Sequence, residues 1–261
     1  MTIHEAQQNV AASLRTISDA PELDAQRILL HILTKDDASY LLAHGEDVIT
    51  EQNLQTILEM AEKRKTGMPL AYILGHADFY GRTFIVTPNV LVPRPDTEAS
   101  IDTALDYIKN NFDITQEILI ADICTGSGII ATTLALELPN IHIIATDISP
   151  AALKIAQQNA EKHGVADRIE FLQGDMLSPI LNRNVDLIVS NPPYIPTEEL
   201  AAGDSTQDTR GLLFEPRIAL DGGEDGLQFV NQILRYSQEN NVPAIIETVG
   251  GEIITANKKG E

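Results

Sequence analysis

The chain has 261 residues, 43% of them hydrophobic, and its 38 acidic against 18 basic side chains leave a formal net charge of −20. That length suits about two domains with a sizeable core, and the charge argues against a nucleic-acid partner, which selects for a basic face to meet phosphates. One cysteine excludes an intrachain disulfide, no run approaches the ~18 apolar residues of a membrane span, and the start lacks a signal's charged and apolar regions, so a cytoplasmic location without membrane contact is expected.

The first 65 residues read as helices. Ile3, Ala6, Val10, Leu14 and Ile17 recur at three- and four-residue steps, which places them on one face. Pro21 suits the first turn of a second helix carrying Leu23, Ile28, Leu29, Ile32 and Leu33. A further helix follows Thr50, carries Leu54, Ile57, Leu58 and Ala61, and ends in Lys63-Arg64-Lys65 before Gly67. These stripes form the core of a small bundle, expected over residues 1–75. Residues 76–93 alternate in the manner of a β-hairpin connector, and residues 94–261 are expected to form a catalytic domain.

That domain opens with Ile118-Leu119-Ile120-Ala121-Asp122-Ile123, then Cys124-Thr125-Gly126-Ser127-Gly128, then an apolar helical stretch to Leu138: strand, glycine turn, helix. A second strand, His142 to Thr146, ends in Asp147, 21 positions beyond Gly126 and close to the ~20 expected of a ribose-binding acid. A third, Ile169 to Leu172, leads into Gly174-Asp175-Met176. Gly126 and Gly128 permit positive φ and close backbone approach, and the Asp147 carboxylate can accept from both ribose hydroxyls. Cys124 stands where a dinucleotide fingerprint has its first glycine, and no phosphate-binding lysine follows, so a pyrophosphate cofactor or a nucleotide hydrolase fits less well. Cys124 itself has no neighbouring histidine to activate it as a nucleophile. The cofactor-binding candidates are Cys124, Thr125, Gly126, Ser127, Gly128, Asp147, Asp175, Met176 and Asn191, with no metal invoked.

The fourth strand, Val185 to Ser190, runs into Asn191-Pro192-Pro193-Tyr194, whose prolines cannot continue a central ladder. The tetrapeptide therefore lies at a strand's carboxyl end, where open α/β sheets bind ligands. Asn191 offers a side-chain oxygen, the prolines stiffen the backbone and leave bare carbonyls, and Tyr194 offers a flat face. Together they suit a planar amino group, so Asn191, Pro192 and Tyr194 are the catalytic candidates and Asn191 through Tyr194 the substrate-binding ones. Residues 202–210, rich in Gly, Asp, Ser and Thr, read as a mobile loop beyond this site.

Glycine loop, distal acid and Asn-Pro-Pro-Tyr, in that order, resemble the Rossmann-like α/β fold of the S-adenosylmethionine-dependent methyltransferases. Gly75 through Glu98, Pro69 through Gly75, Glu215-Pro216 and Ala219 through Leu227 narrow this to a close resemblance to the release-factor glutamine methyltransferases, the PrmC/HemK family. The resemblance implies S-adenosylmethionine as cofactor, peptide chain release factors as protein substrate through the glutamine of a Gly-Gly-Gln loop, and a substrate-gripping role for the N-terminal bundle. The open alternatives are a ribosomal-protein glutamine methyltransferase, an adenine-amino methyltransferase disfavoured by the acidic charge, and a silent module that binds without turnover. The acidity itself serves solubility as readily as steering of a basic protein. Asp96 and Glu98 stand beside Arg94, where an ion-pair or capping role is favoured over a general base.

After the expected fifth strand, Pro243 to Thr248, only 13 residues remain. Family members continue through a helix and an antiparallel strand pair. The sheet is therefore expected to be C-terminally shortened, with five parallel strands ordered 3-2-1-4-5 and an exposed edge at the fifth.

Overall fold

The structure, a computed structural model, describes residues 1–202 and 210–256, so the loop expected at 202–210 lies almost wholly outside the described residues. The described residues fall into two compact units, one built on residues 1–75, with which residues 210–214 cluster, and the other on residues 76–202 with 215–256.

The first unit is helical: α1 (Ile3–Leu14), α2 (Pro21–Leu33), α3 (Ala38–Ala43), α4 (Glu51–Lys65) and α5 (Leu70–Leu74). Thr2 and Glu5 form a reciprocal capping box on α1, Pro21 occupies the first turn of α2, and the Thr50 hydroxyl accepts from the Asn53 N–H at the start of α4. Ile3, Ala6, Val10 and Leu14 are buried with Ile28, Leu29 and Ile57, which is the face the periodicity predicts. Helix α1 stops at Leu14 and leaves Ile17 only half-buried. Arg64 Nε lies 2.8 Å from Asp24 Oδ2 and joins α4 to α2.

The second unit begins with a hairpin of β1 (His76–Phe79) and β2 (Arg82–Ile85), shorter than the 76–93 expected. Residues 86–93 leave the ladder because Ile85 already faces His76, the first residue of β1, and Gly75 before it caps α5 at φ 79°. Then come α6 (Asp96–Asn111), β3 (Ile118–Ile123), α7 (Ile129–Glu137), β4 (Ile141–Asp147), α8 (Pro150–Lys162), β5 (Ile169–Gln173), β6 (Leu187–Ser190), α9 (Thr197–Ala202), α10 (Gln228–Asn240), β7 (Ala244–Glu247) and β8 (Ile253–Ala256). The sheet order is β5-β4-β3-β6-β7-β8. Its first five members are parallel and follow the expected 3-2-1-4-5 order. The order reverses between β3 and β6, and this switch point opens a crevice at the carboxyl ends. One apolar cluster includes Ile120, Leu134, Ile143 and Val189; a second includes Ile123, Ile188, Ile233 and Ile246, so the strands are buried on both sides.

The exposed edge expected at β7 is corrected by β8, which pairs with it antiparallel from Ala244 opposite Ala256 to Glu247 opposite Ile253. A tight reversal suffices because Gly250 and Gly251 both take positive φ, 72° and 73°, and the Thr248 N–H donates to the Glu252 carbonyl at 2.8 Å. The few residues after β7 therefore cover an edge that would otherwise template aggregation. Truncation after Thr248 is expected to remove about 2 kcal/mol of packing, lowering Tm by about 4–8 °C, with light scattering rising on heating. A melting curve and scattering profile matching the full chain would show that β8 contributes nothing.

Candidate functional site

A cavity of about 230 Å³ opens at the switch point. Its wall includes Cys124, Thr125, Gly126 and Ser127 from the β3 exit, Asp147 and Ile148 from the β4 exit, Asp175 and Met176 beyond β5, and Asn191 and Pro193 beyond β6. Asn89, Val90, Leu91, Pro93, Arg94 and Thr97 close another side, and Ile218 and Phe229 add apolar surface.

The glycine loop is shaped from below. Asp122, the fifth residue of β3, is fully buried and accepts from the Thr125 hydroxyl at 2.6 Å and the Ala131 N–H at 3.1 Å through Oδ2. Its Oδ1 is buried without a hydrogen-bond partner. Desolvation, resisted by those two donors, pushes its pKa up to about 7. Asp147 joins loop to β4: Oδ2 accepts from the Gly126 N–H and Oδ1 from the Ser149 N–H, both at 2.9 Å. Burial raises its pKa while these N–H groups pull it down. Each carboxylate oxygen has a second lone pair, and Asp147 lines the cavity, so a hydroxyl donor entering the cavity would meet an acceptor there.

Cys124 and Met176 carry positive φ, 62° and 46°, an uncommon conformation for side-chain-bearing residues, and their sulfurs meet at 3.6 Å. Burial and the charges of Asp147, Asp122 and Asp175 push the Cys124 thiol pKa far up, opposite to what a nucleophile needs.

Several candidates stand elsewhere than the sequence suggests. Gly128 is absent from the cavity wall; it starts α7 at φ 77°, and a Cβ there would fall 2.8 Å from Ala156 Cβ on α8, so its smallness serves helix packing. Pro192 is buried and Tyr194 half-buried, and neither lines the cavity, so the apolar wall beside Asn191 is Pro193. Gly222 explains the downstream Asp-Gly-Gly motif: a Cβ on it would meet Tyr194 Cα at 2.7 Å and the Pro193 carbonyl at 2.8 Å. Backbone bonds from Ile195 N to the Leu220 carbonyl and from Gly222 N to the Ile195 carbonyl brace the segment after the prolines.

Arg94 pairs with neither Asp96 nor Glu98. Its Nη2 lies 2.6 Å from Oε2 of buried Glu215, whose Oε1 accepts from the Val92 N–H, while Glu98 accepts from the Tyr80 N–H. Burial raises the Glu215 pKa and Arg94 lowers it. Three further contributors carry no sequence signal of their own. Buried Asn159 on α8 accepts from the Ile85 N–H and donates to the Ile85 and Ser127 carbonyls, so one amide joins the hairpin to the glycine loop. Thr97 accepts from Asn191 Nδ2 at 3.0 Å, and fully buried Glu247 takes the Ser100 hydroxyl at 3.3 Å.

Comparison with known proteins places the chain in a family. Residues 5–75 match the PrmC N-terminal domain and residues 97–206 the Methyltransferase small domain. The release factor glutamine methyltransferase of Moorella thermoacetica is 43% identical over 80% of this chain and 70% of its own length. That of Coxiella burnetii is 38% identical over 91% and 81%, and that of Bacillus subtilis 40% identical over 82% and 73%. Among solved structures, the hMettl16 catalytic domain in complex with the MAT2A 3′UTR hairpin 6 superposes with a TM-score of 0.50 at 17% identity, over 77% of this chain and 70% of that one, a likeness of fold.

Two tests probe the floor of the cavity. Asp147→Ala is expected to weaken S-adenosylmethionine binding by roughly 1.5–3 kcal/mol, the worth of a charged acceptor; unchanged calorimetric affinity in a folded variant would remove Asp147 from the cofactor site. For Asp122, the folded pKa of about 7 exceeds the ordinary 3.8, so between these values the folded state holds more protons than the unfolded one and stability falls as pH rises. Asp122→Asn should flatten the dependence of the urea midpoint on pH across that window, and an unaltered slope would assign the titration to another group.

Proposed function

We infer that this chain, which belongs to the release factor glutamine methyltransferase family, transfers a methyl group from S-adenosylmethionine to the side-chain amide nitrogen of a release-factor glutamine. The observation that carries the reading is the posture of Asn191. Its Nδ2 is held by Thr97 while the residue lines the cavity beside the glycine loop, which leaves Oδ1 to accept from an incoming amino group.

The cavity suits the cofactor. Gly126 brings backbone close, Asp147 offers acceptors for ribose hydroxyls, and Ile130, Ile148, Ala152 and Phe229 offer apolar surface for a base. S-adenosylmethionine, when bound, supplies an electrophilic methyl on a sulfonium.

An amide nitrogen is a poor nucleophile because its lone pair is delocalised into its own carbonyl. The protein must therefore hold the –NH2 with that lone pair aimed at the methyl. Asn191 Oδ1, on the cavity wall, accepts one of its N–H bonds and stabilises the positive charge that develops as the nitrogen becomes tetrahedral. Pro193, buried against Gly222, keeps this strand exit stiff. Orientation of this kind accounts for up to ~7–11 kcal/mol of barrier in favourable cases, so no strong base is required before transfer and the proton leaves afterwards to water. The N-terminal helical unit holds the protein substrate while the crevice does the chemistry. The substrate is protein and the setting is cytoplasmic; among the described residues no helix is long and apolar enough to cross a membrane.

The deciding assay offers the protein a release factor, a ribosomal protein and duplex DNA with labelled S-adenosylmethionine. Label on the release-factor glutamine is expected; label on DNA alone would overturn the reading. Asn191→Ala should leave release-factor binding nearly unchanged and slow single-turnover methylation by roughly 10²–10³, the cost of removing one preorganised group aimed at developing charge. Asn191→Asp keeps an acceptor and should retain part of the rate. Wild-type rates in Asn191→Ala would sink the mechanism.

A further inference from the structure

We infer that Glu247 is a positioning residue for the methyl acceptor: through Thr97 it fixes which end of the Asn191 amide faces the substrate. The inference rests on the amide-methylation reading above. Ser190 pairs with Ile246 in the parallel register of β6 and β7, so Asn191 and Glu247, one residue further along each strand, leave the sheet side by side at the same level. Thr97 and Ser100, three apart on the first turns of α6, present hydroxyls to this pair. The Ser100 hydroxyl donates to Glu247 Oε2 at 3.3 Å, and Asn191 Nδ2 donates to Thr97 Oγ1 at 3.0 Å.

Glu247 is fully buried, and its Oε1 has no partner at conventional hydrogen-bond distance. An orphaned carboxylate oxygen in that position is costly unless it acts on its neighbours. Thr97, Ser100 and Asn191 are near enough to pull its pKa down against the burial that raises it, while Asp96 pushes it further up; the charge is felt in turn by the Tyr194 phenol.

The direction of the relay follows from donor inventory. In its ionised form the Glu247 carboxyl only accepts, so it draws the Thr97 hydroxyl hydrogen toward itself and leaves that oxygen's lone pairs for Asn191. Only the Nδ2 end of Asn191 can satisfy them, and Oδ1 is turned to the cavity. A neutral group at 247 can also donate to Thr97. The hydroxyl can then reverse, donate to Asn191 Oδ1, and turn Nδ2 toward a substrate –NH2 that has no use for a second donor. Charge at one end of the chain also polarises the bonds beyond it.

The test compares kcat and KM for a release factor at saturating S-adenosylmethionine in wild type, Glu247→Gln, Asn191→Ala and the double variant, with S-adenosylhomocysteine affinity and Tm measured alongside. Glu247→Gln should lower kcat about tenfold or more while KM and cofactor affinity stay within about twofold, because neither docking surface changes. The double variant should be no slower than Asn191→Ala, since the relay acts only through that amide. Thr97→Val should reproduce the loss and Thr97→Ser restore the rate, which keeps the inference testable should substitution at 247 prevent folding. Losses that multiply in the double variant, wild-type kcat in Glu247→Gln, or full activity in Thr97→Val would each overturn it while leaving the function standing. A wild-type protein that methylates no glutamine would overturn both.

Discussion

One transverse row of the sheet sets the site. Parallel register aligns Leu172, Thr146, Ile123, Ser190 and Ile246 across five strands. The next residue on each strand is Gln173, Asp147, Cys124, Asn191 or Glu247. The proposed ribose acceptor, the start of the glycine loop, the proposed amide clamp and its positioning carboxylate thus depart at one level. Because side chains alternate with a period of two, a slip of one residue in any pairing would turn that member to the other face. The apolar rows beneath, fully buried on both sides, are what make such a slip costly.

Carboxylates accumulate along this row and just below it, and burial raises the pKa of Asp122, Asp147 and Glu247 alike. Folding would not favour two buried acids and a half-buried third in one region for stability alone. Each instead disciplines a donor: Asp122 holds the Thr125 hydroxyl, Asp147 the Gly126 N–H, Glu247 the Ser100 hydroxyl and, by the inference above, that of Thr97. Positive φ at Cys124 and Met176 belongs to the same account, since strained backbone persists where its surroundings over-determine it.

What was legible in the sequence was what is local. Strand, glycine turn and helix occupy one stretch, Asp147 follows at nucleotide-loop spacing, and Asn-Pro-Pro-Tyr announces itself by two residues that cannot pair in a ladder. The helical faces of the first unit followed from periodicity, the parallel sheet from the alternation of strands and helices, and the strand order from the resemblance to the methyltransferase family. Short α3 and the hairpin's early end were not visible, because a six-residue helix and a four-residue strand lack a repeat long enough to register. Nor was β8: four residues after a Gly-Gly turn carry little strand signal until β7 offers them an unpaired edge.

The illegible part of the site is the part made by distant pairs. Asn159 reaches Ile85 from 74 residues away, Thr97 reaches Asn191 across 94, and Ser100 reaches Glu247 across 147. A threonine in a helix's first turn reads as a cap, a glutamate ending an apolar strand reads as a boundary, and an asparagine inside a helix reads as surface. Only the assembled sheet turns them toward one another. β8 joins this set from an unexpected side: by pairing Ile253 with Glu247 and bringing Gly251 against Asp96, the short terminal hairpin helps seal the carboxylate from water. On the inference above, the edge strand supports the chemistry as well as the sheet, since a hydrated Glu247 would spend its lone pairs on solvent and lose its hold on the orientation of Asn191.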